Sequence, residues 1–196
     1  MAKRYTQMLP LIASIKPRTI AEVGVHRAKR AVMLCRKALE YGPVHYIGYD
    51  VFETKDAAFQ ADALNGKGTP IEADARRQLD ALAAEFPGFS YELIVGDTRD
   101  TLQQHPVIVD FAFIDGDHRV EVIEGDYLAL AKSRYVLLDD FYVAGPNCAL
   151  NLSRYGANTL AGNLITSCHE VEILPVGDVC NHGGIAHLVA VSKVAA

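Results

Sequence analysis

Two short segments concentrate the acidic side chains of this sequence. Asp110-Phe111-Ala112-Phe113-Ile114-Asp115-Gly116-Asp117-His118 and Val136-Leu137-Leu138-Asp139-Asp140 are each an apolar, strand-like run that stops in paired carboxylates. Parallel strands lie about 4.8 Å apart, and open α/β sheets gather ligands outside the carboxyl ends of their strands. As neighbours, these two strands would crowd Asp115, Asp117, Asp139 and Asp140 onto one rim. Four like charges repel unless a cation sits among them. The pattern therefore asks for a metal or a positively charged ligand. Helix capping and solvated loop charge are the competing reading of the same four acids.

The elements that would position them follow from periodicity. Met8, Leu9, Leu11, Ile12 and Ile15 have helical spacing, ended by Pro17, and Thr19 to Val25 reads as a first strand. A helix from Arg27 to Glu40 places Ala28, Ala31, Val32, Cys35 and Leu39 on one face, and Gly42-Pro43 stops it. His45 to Asp50 is a second strand. A helix through Ala75, Leu79, Leu82, Ala83 and Phe86 leads to a third strand, Ser90 to Val95, closed by Gly96-Asp97-Thr98. Phe111 to Ile114, Tyr135 to Leu138, Val171 to Leu174 and Ile185 to Val191 complete seven strands. One more helix, through Ile123, Tyr127 and Leu130, follows the fourth. Alternation of strands and helices predicts an α/β, Rossmann-like, doubly wound sheet. The last two strands have only a Gly177-Asp178 and His182-Gly183-Gly184 turn region between them, so they are expected as an antiparallel hairpin at one edge. No repeat or linker divides residues 1–196, and one domain is expected.

Composition narrows the function. A net charge of −5 argues against a sequence-independent grip on nucleic acid. No leader-like or membrane-length apolar run is present, and Cys35, Cys148, Cys168 and Cys180 are widely spaced. A soluble, cytoplasmic enzyme with reduced thiols is expected, with no membrane partner. Arg27, Lys29, Arg30, Arg36 and Lys37 make a basic helix face, read as solvated. Cys180, His182 and His187 lack the paired spacing of a zinc site.

The remaining acids fall at equivalent positions. Glu22-Val23-Gly24-Val25-His26 closes the first strand before a helix, Asp50 closes the second, and Asp97 the third. A glycine at the first turn lets backbone approach a ligand, and a carboxylate after the second strand can accept ribose hydroxyls. This order, with Ile-Asp-Gly-Asp-His after the fourth strand and Leu-Asp-Asp after the fifth, resembles the class I S-adenosylmethionine-dependent methyltransferases across Thr19 to Val191. Within that class it is most similar to the small-molecule O-methyltransferases that use a divalent metal. The resemblance implies that Glu22 and Gly24 approach the methionine portion of the cofactor and that Val25 and His26 also contact the cofactor. It places Asp50 at the ribose, Asp97 and Thr98 at the adenine end, and Val51 and Asp115 along the cofactor. It also implies a divalent metal, magnesium first and manganese or calcium next, on Asp115, Asp139 and Asp140. Asp117 would then be the general base, with His118 the alternative, and the acceptor a small hydroxylated molecule.

Two departures stand out. The second glycine of the first motif is replaced near Ala28, and little chain precedes the first strand to form a lid. Residues 53–69 or a neighbouring subunit of a homo-oligomer would serve instead. An NAD-dependent reductase is the alternative enzyme, disfavoured by the missing G-x-G-x-x-G. A non-catalytic cofactor-binding module of the same fold is the alternative outside enzymes.

Overall fold

The computed structural model describes residues 2–54, 71–145, 151, 155–165, 169–181 and 183–193. The Asn65-Gly66-Lys67-Gly68 loop, most of the expected lid, Cys148, Cys168 and His182 lie outside them.

A 3₁₀ turn, Lys3–Gln7, leads into α1 (Met8–Ile15), which ends at Lys16 in a left-handed conformation just before Pro17. β1 (Thr19–Val23), α2 (Lys29–Leu39), β2 (Val44–Asp50), α3 (Glu72–Glu85) and β3 (Phe89–Val95) follow. Next come α4 (Thr98–Gln104), β4 (Phe111–Ile114), α5 (Val120–Leu130) and β5 (Val136–Val143). The chain continues through α6 (Gly156–Ile165), β6 (His169–Ile173), β7 (Asp178–Val179) and β8 (Ile185–Lys193). The sheet order is β3-β2-β1-β4-β5-β8-β6, with β7 paired to β8. β1 to β5 are mutually parallel, and β8 runs antiparallel to β5, β6 and β7.

Period-two alternation splits the sheet between two cores. Ile20, Tyr46, Phe111, Phe113 and Leu188 pack with Met8, Ile12, Leu34, Leu79 and Leu82 of α1 to α3. Their neighbours Ala21, Ile47, Tyr49, Ala112 and Val189 pack with Leu102, Ile123, Tyr127 and Leu160 of α4 to α6. Helices thus cover both faces, as parallel strands require.

The structure differs from these expectations at six points. The first strand stops at Val23 because Gly24 adopts φ 88°, and helix α2 starts at Lys29 because His26 and Ala28 adopt left-handed conformations. The stretch after Thr98 is a helix, and so is the Gly- and Asn-containing connection at 156–165. β5 does not end before its acids. It runs through them as a bulge between Leu138 and Phe141, opposite Val189 and His187 of β8. A two-residue strand, β7, adds an eighth member.

Candidate active site at the carboxyl rim of the sheet

The register aligns the strand ends. Val23 pairs with Tyr49 and Ile114, Asp50 with Val95, and Ile114 with Leu138, so β1 to β4 finish along one rim that β5 crosses at Leu138. At its centre the β1 and β4 loops nearly touch. A Cβ at Gly24 would sit 1.9 Å from the Asp115 carbonyl oxygen, so no other residue fits without moving backbone. Left-handed backbone clusters here as well, at His26, Ala28, Phe52 and Asp140. Such conformations cost on the order of 1–3 kcal/mol each and collect at functional sites.

The β1–β2–β3 side forms one continuous row. The Asp50 carboxylate is buried, and its oxygens accept the His26 N–H at 2.7 Å and the Phe52 N–H at 2.8 Å. Burial raises its pKa, and these amides offset only part of the rise. Asp50 thereby ties the turn after β1 to the end of β2. The Val25 side chain turns into the core, leaving its backbone at the turn, while Val51 is half-buried beside Asp50. Asp97 caps α4 by accepting the Arg99 N–H at 3.1 Å, and the Arg99 side chain returns to the same carboxylate at 2.6 Å. Thr98 opens α4 and hydrogen-bonds Asp126 of α5.

The β4–β5 side gathers the expected metal acids, but around arginines. Glu22 is fully buried, accepting Arg30 Nε at 2.8 Å and the Tyr46 hydroxyl at 2.6 Å; burial raises its pKa against both partners. Arg30 also reaches Asp115 Oδ2 at 2.8 Å and the Gly24 carbonyl at 3.1 Å. Its guanidinium lies over both Tyr5 and Phe113. It therefore leaves the basic face expected for α2 and joins the core. Asp139 takes Arg4 Nε at 2.7 Å, Arg4 Nη2 at 3.0 Å and the Tyr5 hydroxyl. Burial would raise its pKa, but the Arg4 bonds and charge outweigh this and hold it below the ordinary carboxylate value. Asp140 Oδ1 takes Arg4 Nη2 at 3.1 Å, and its Oδ2 lies 3.4 Å from His118 Nδ1. The bulge allows both successive acids to meet one guanidinium; a regular strand would send them to opposite faces.

Asp117 and His118 diverge. Asp117 accepts the Arg119 N–H at 2.9 Å and the Arg119 side chain. His118 turns toward Asp140. Asp115, His118 and Asp140 each offer an atom within 4.8 Å of the others, so the grouping differs from the expected Asp115, Asp139 and Asp140. Of the expected trio, Asp139 is the most engaged: its Oδ1 accepts Arg4 Nε, and its Oδ2 accepts Arg4 Nη2 and the Tyr5 hydroxyl.

Sequence reading missed Arg4, Tyr5 and Asp126. Arg4 and Tyr5 precede the first helix and meet Asp139 across 135 and 134 residues, a pairing that local pattern does not announce. Asp126 is 2% exposed, and its Oδ2 has no hydrogen-bond partner among the described residues. Burial, with Asp117 and Asp97 nearby and against the Thr98 bond, pushes its carboxyl up to about 7. Its place midway along α5 made it look like one more polar face residue.

Residues 21–136 match a family model described as a methyltransferase domain. The chain belongs to this methyltransferase family. No curated protein matches it by sequence. Solved methyltransferases share its fold. The O-methyltransferase TomG of Streptomyces achromogenes, involved in tomaymycin synthesis and solved with SAM, is 17% identical with a TM-score of 0.63. That match covers 97% of this chain and 79% of TomG. An O-methyltransferase from Bacillus cereus, solved with SAH, is 21% identical with a TM-score of 0.61. Here 96% of this methyltransferase and 80% of the other are covered. Among the described residues no helix is long and apolar enough to cross a membrane.

Proposed function

We propose that this methyltransferase moves a methyl group from S-adenosylmethionine to a hydroxyl of a small molecule, with His118 as general base. The observation that carries the reading is the His118–Asp140 pair on the rim that also bears the Gly24 turn and Asp50. The cofactor supplies a sulfonium-activated methyl group when bound. The row of Gly24 to His26, Asp50 with Val51, and Asp97 with Thr98 fits its methionine, ribose and adenine parts in that order. Asp115 borders the row through its contact with Gly24. Glu22 acts from beneath, holding Arg30 rather than meeting ligand.

His118 takes the acceptor's hydroxyl proton as the oxygen attacks the methyl carbon and the carbon–sulfur bond breaks. Asp140 orients the imidazole and stabilises its cation, as a carboxylate does in other acid–base pairs. Asp117 is the less suitable base because Arg119 occupies it. Phe141 and Tyr142, just beyond the bulge, are placed to wall the acceptor; the Tyr142 ring packs 4.4 Å from Tyr155. A second reading rests on the 4.8 Å grouping and puts a divalent cation on Asp115, His118 and Asp140.

Calorimetry and methyl-transfer assays on a panel of small phenols and sugars test the proposal. His118→Asn should leave S-adenosylmethionine affinity unchanged and slow turnover about 10²–10⁴-fold. Wild-type protein that binds no S-adenosylmethionine, or His118→Asn at the wild-type rate, overturns it.

A further inference from the structure

The acids on the β1–β4–β5 side are shared between two guanidiniums. Arg30 spans Glu22 and Asp115; Arg4 spans Asp139, Asp140 and Asp178. Arg4 is 9% exposed, and its planar fork meets Asp139 through two nitrogens, a geometry matched to a carboxylate.

The turn that carries Arg4 is itself anchored. The Lys3 and Arg4 backbone N–H groups donate to Asp178 at 2.8 and 3.0 Å. The Gln7 side-chain amide exchanges hydrogen bonds with the Val176 carbonyl and N–H at 2.8 and 2.7 Å. Tyr5 stacks edge-on against Phe113 and donates its hydroxyl to Asp139.

We infer that Arg4 is the resident cation of this rim, standing where a divalent metal would otherwise sit on Asp139 and Asp140. The methyl transfer proposed above then proceeds without a metal. Arg4 is a positioning residue: its Nη2 on Asp140 Oδ1 sets the carboxylate whose Oδ2 faces His118. This role rests on His118 being the base, whereas occupancy of the cation position does not.

The test uses the 196-residue protein dialysed against a chelator. Melting temperature is followed with and without millimolar Mg²⁺ or Mn²⁺, and methyl transfer is assayed in EDTA. Wild type should show neither a metal-induced rise in melting temperature nor a loss of activity in EDTA. Arg4→Met keeps an apolar stem and removes the cation. It should lower kcat about 10- to 100-fold, as loss of a supporting partner does, with S-adenosylmethionine affinity retained. Its melting temperature should rise with Mn²⁺, because Asp139 and Asp140 are then open to a cation, and Arg4→Lys should recover part of the rate. A wild type that is stabilised by metal and inactive in EDTA overturns the inference and places the ion on Asp115, His118 and Asp140. If Arg4→Met does not fold, the wild-type arms alone decide. A metal-insensitive wild type with His118→Asn fully active removes the base and leaves the resident cation standing.

Discussion

The rim holds two sets of acids that meet their arginines in different ways. On the β1–β4–β5 side, Asp115, Asp139 and Asp140 meet guanidiniums from distant parts of the chain, and Glu22 meets Arg30 from the helix that follows its own strand. Arg4 lies 135 residues from Asp139 in sequence, and both arginines are largely buried with their carboxylates. On the β3–β4 side, Asp97 and Asp117 each meet an arginine two residues further on, Arg99 and Arg119, whose side chains are 53% and 40% exposed. The ion pairs are chemically alike and Asp97 and Asp117 are as shielded as Asp140, but only the first set removes its arginines from water as well. Buried pairs leave a costly orphan when one partner goes, while exposed pairs contribute little. The difference assigns the first set to holding the strand ends together and the second to local loop geometry.

The largest effect should come from breaking the buried set. Arg30→Met strips partners from Glu22 and Asp115 together and ends the contacts over Tyr5 and Phe113. Removing one member of a buried pair costs about 3–5 kcal/mol, and urea denaturation should show a loss of that size. Glu22→Gln together with Arg30→Met should recover part of it. Full stability in the single variant would mean that water reaches Glu22 despite its burial.

Asp126 sharpens the comparison because it belongs to the second side yet is buried and, among the described residues, has no arginine. In the folded protein it keeps its proton to about pH 7, against an ordinary value of 3.8. Between those values the folded state binds more protons than the unfolded chain, so its contribution to stability falls as pH rises and levels off above about 7. At roughly 1.4 kcal/mol per unit the ceiling is about 4 kcal/mol; water entry and relaxation bring the expected effect to about 1–3. Asp126→Asn cannot ionise. Relative to wild type it should therefore gain about that much stability between pH 5 and pH 8, measured by urea melts at both values. A variant whose difference from wild type is pH-independent would show that Asp126 is already ionised at the lower pH.

The same contrast explains what sequence reveals. The rim was legible because β1 to β4 each end locally: an apolar run, then Gly24, Asp50, Gly96-Asp97 or Asp115-Gly116. Helix α4 was not, since only Leu102 of its seven residues is buried and no apolar period can form. Helix α6 hides behind two glycines and two asparagines, yet buries Gly156, Ala157, Leu160, Ala161 and Leu164 against its neighbours, so packing overrides propensity. The bulge at Asp139-Asp140 depends on its partner strand β8, which comes more than forty residues later. The cations were the deepest omission. The acids asked for positive charge, and the pattern suggested a metal because Arg4 and Arg30 looked like a terminus and a solvated face.

The smallest effect tests the exposed set. Arg99→Ala removes the side-chain arm on Asp97 but leaves the Arg99 N–H in place, so the cap of α4 survives. Exposed pairs of this kind are worth about 0.2–1 kcal/mol, and urea denaturation should show a loss within that range. Salt separates the two sets further. At about 1 M ionic strength the screening length falls to roughly 3 Å, so the cost of Arg99→Ala should vanish while that of Arg30→Met persists. Asp97→Ala should cost more than Arg99→Ala, about 1 kcal/mol, because it removes the cap itself. If Arg99→Ala instead matched Arg30→Met and resisted salt, burial would not be what divides the rim. Arg99 would then hold the β3 end as firmly as Arg30 holds β1.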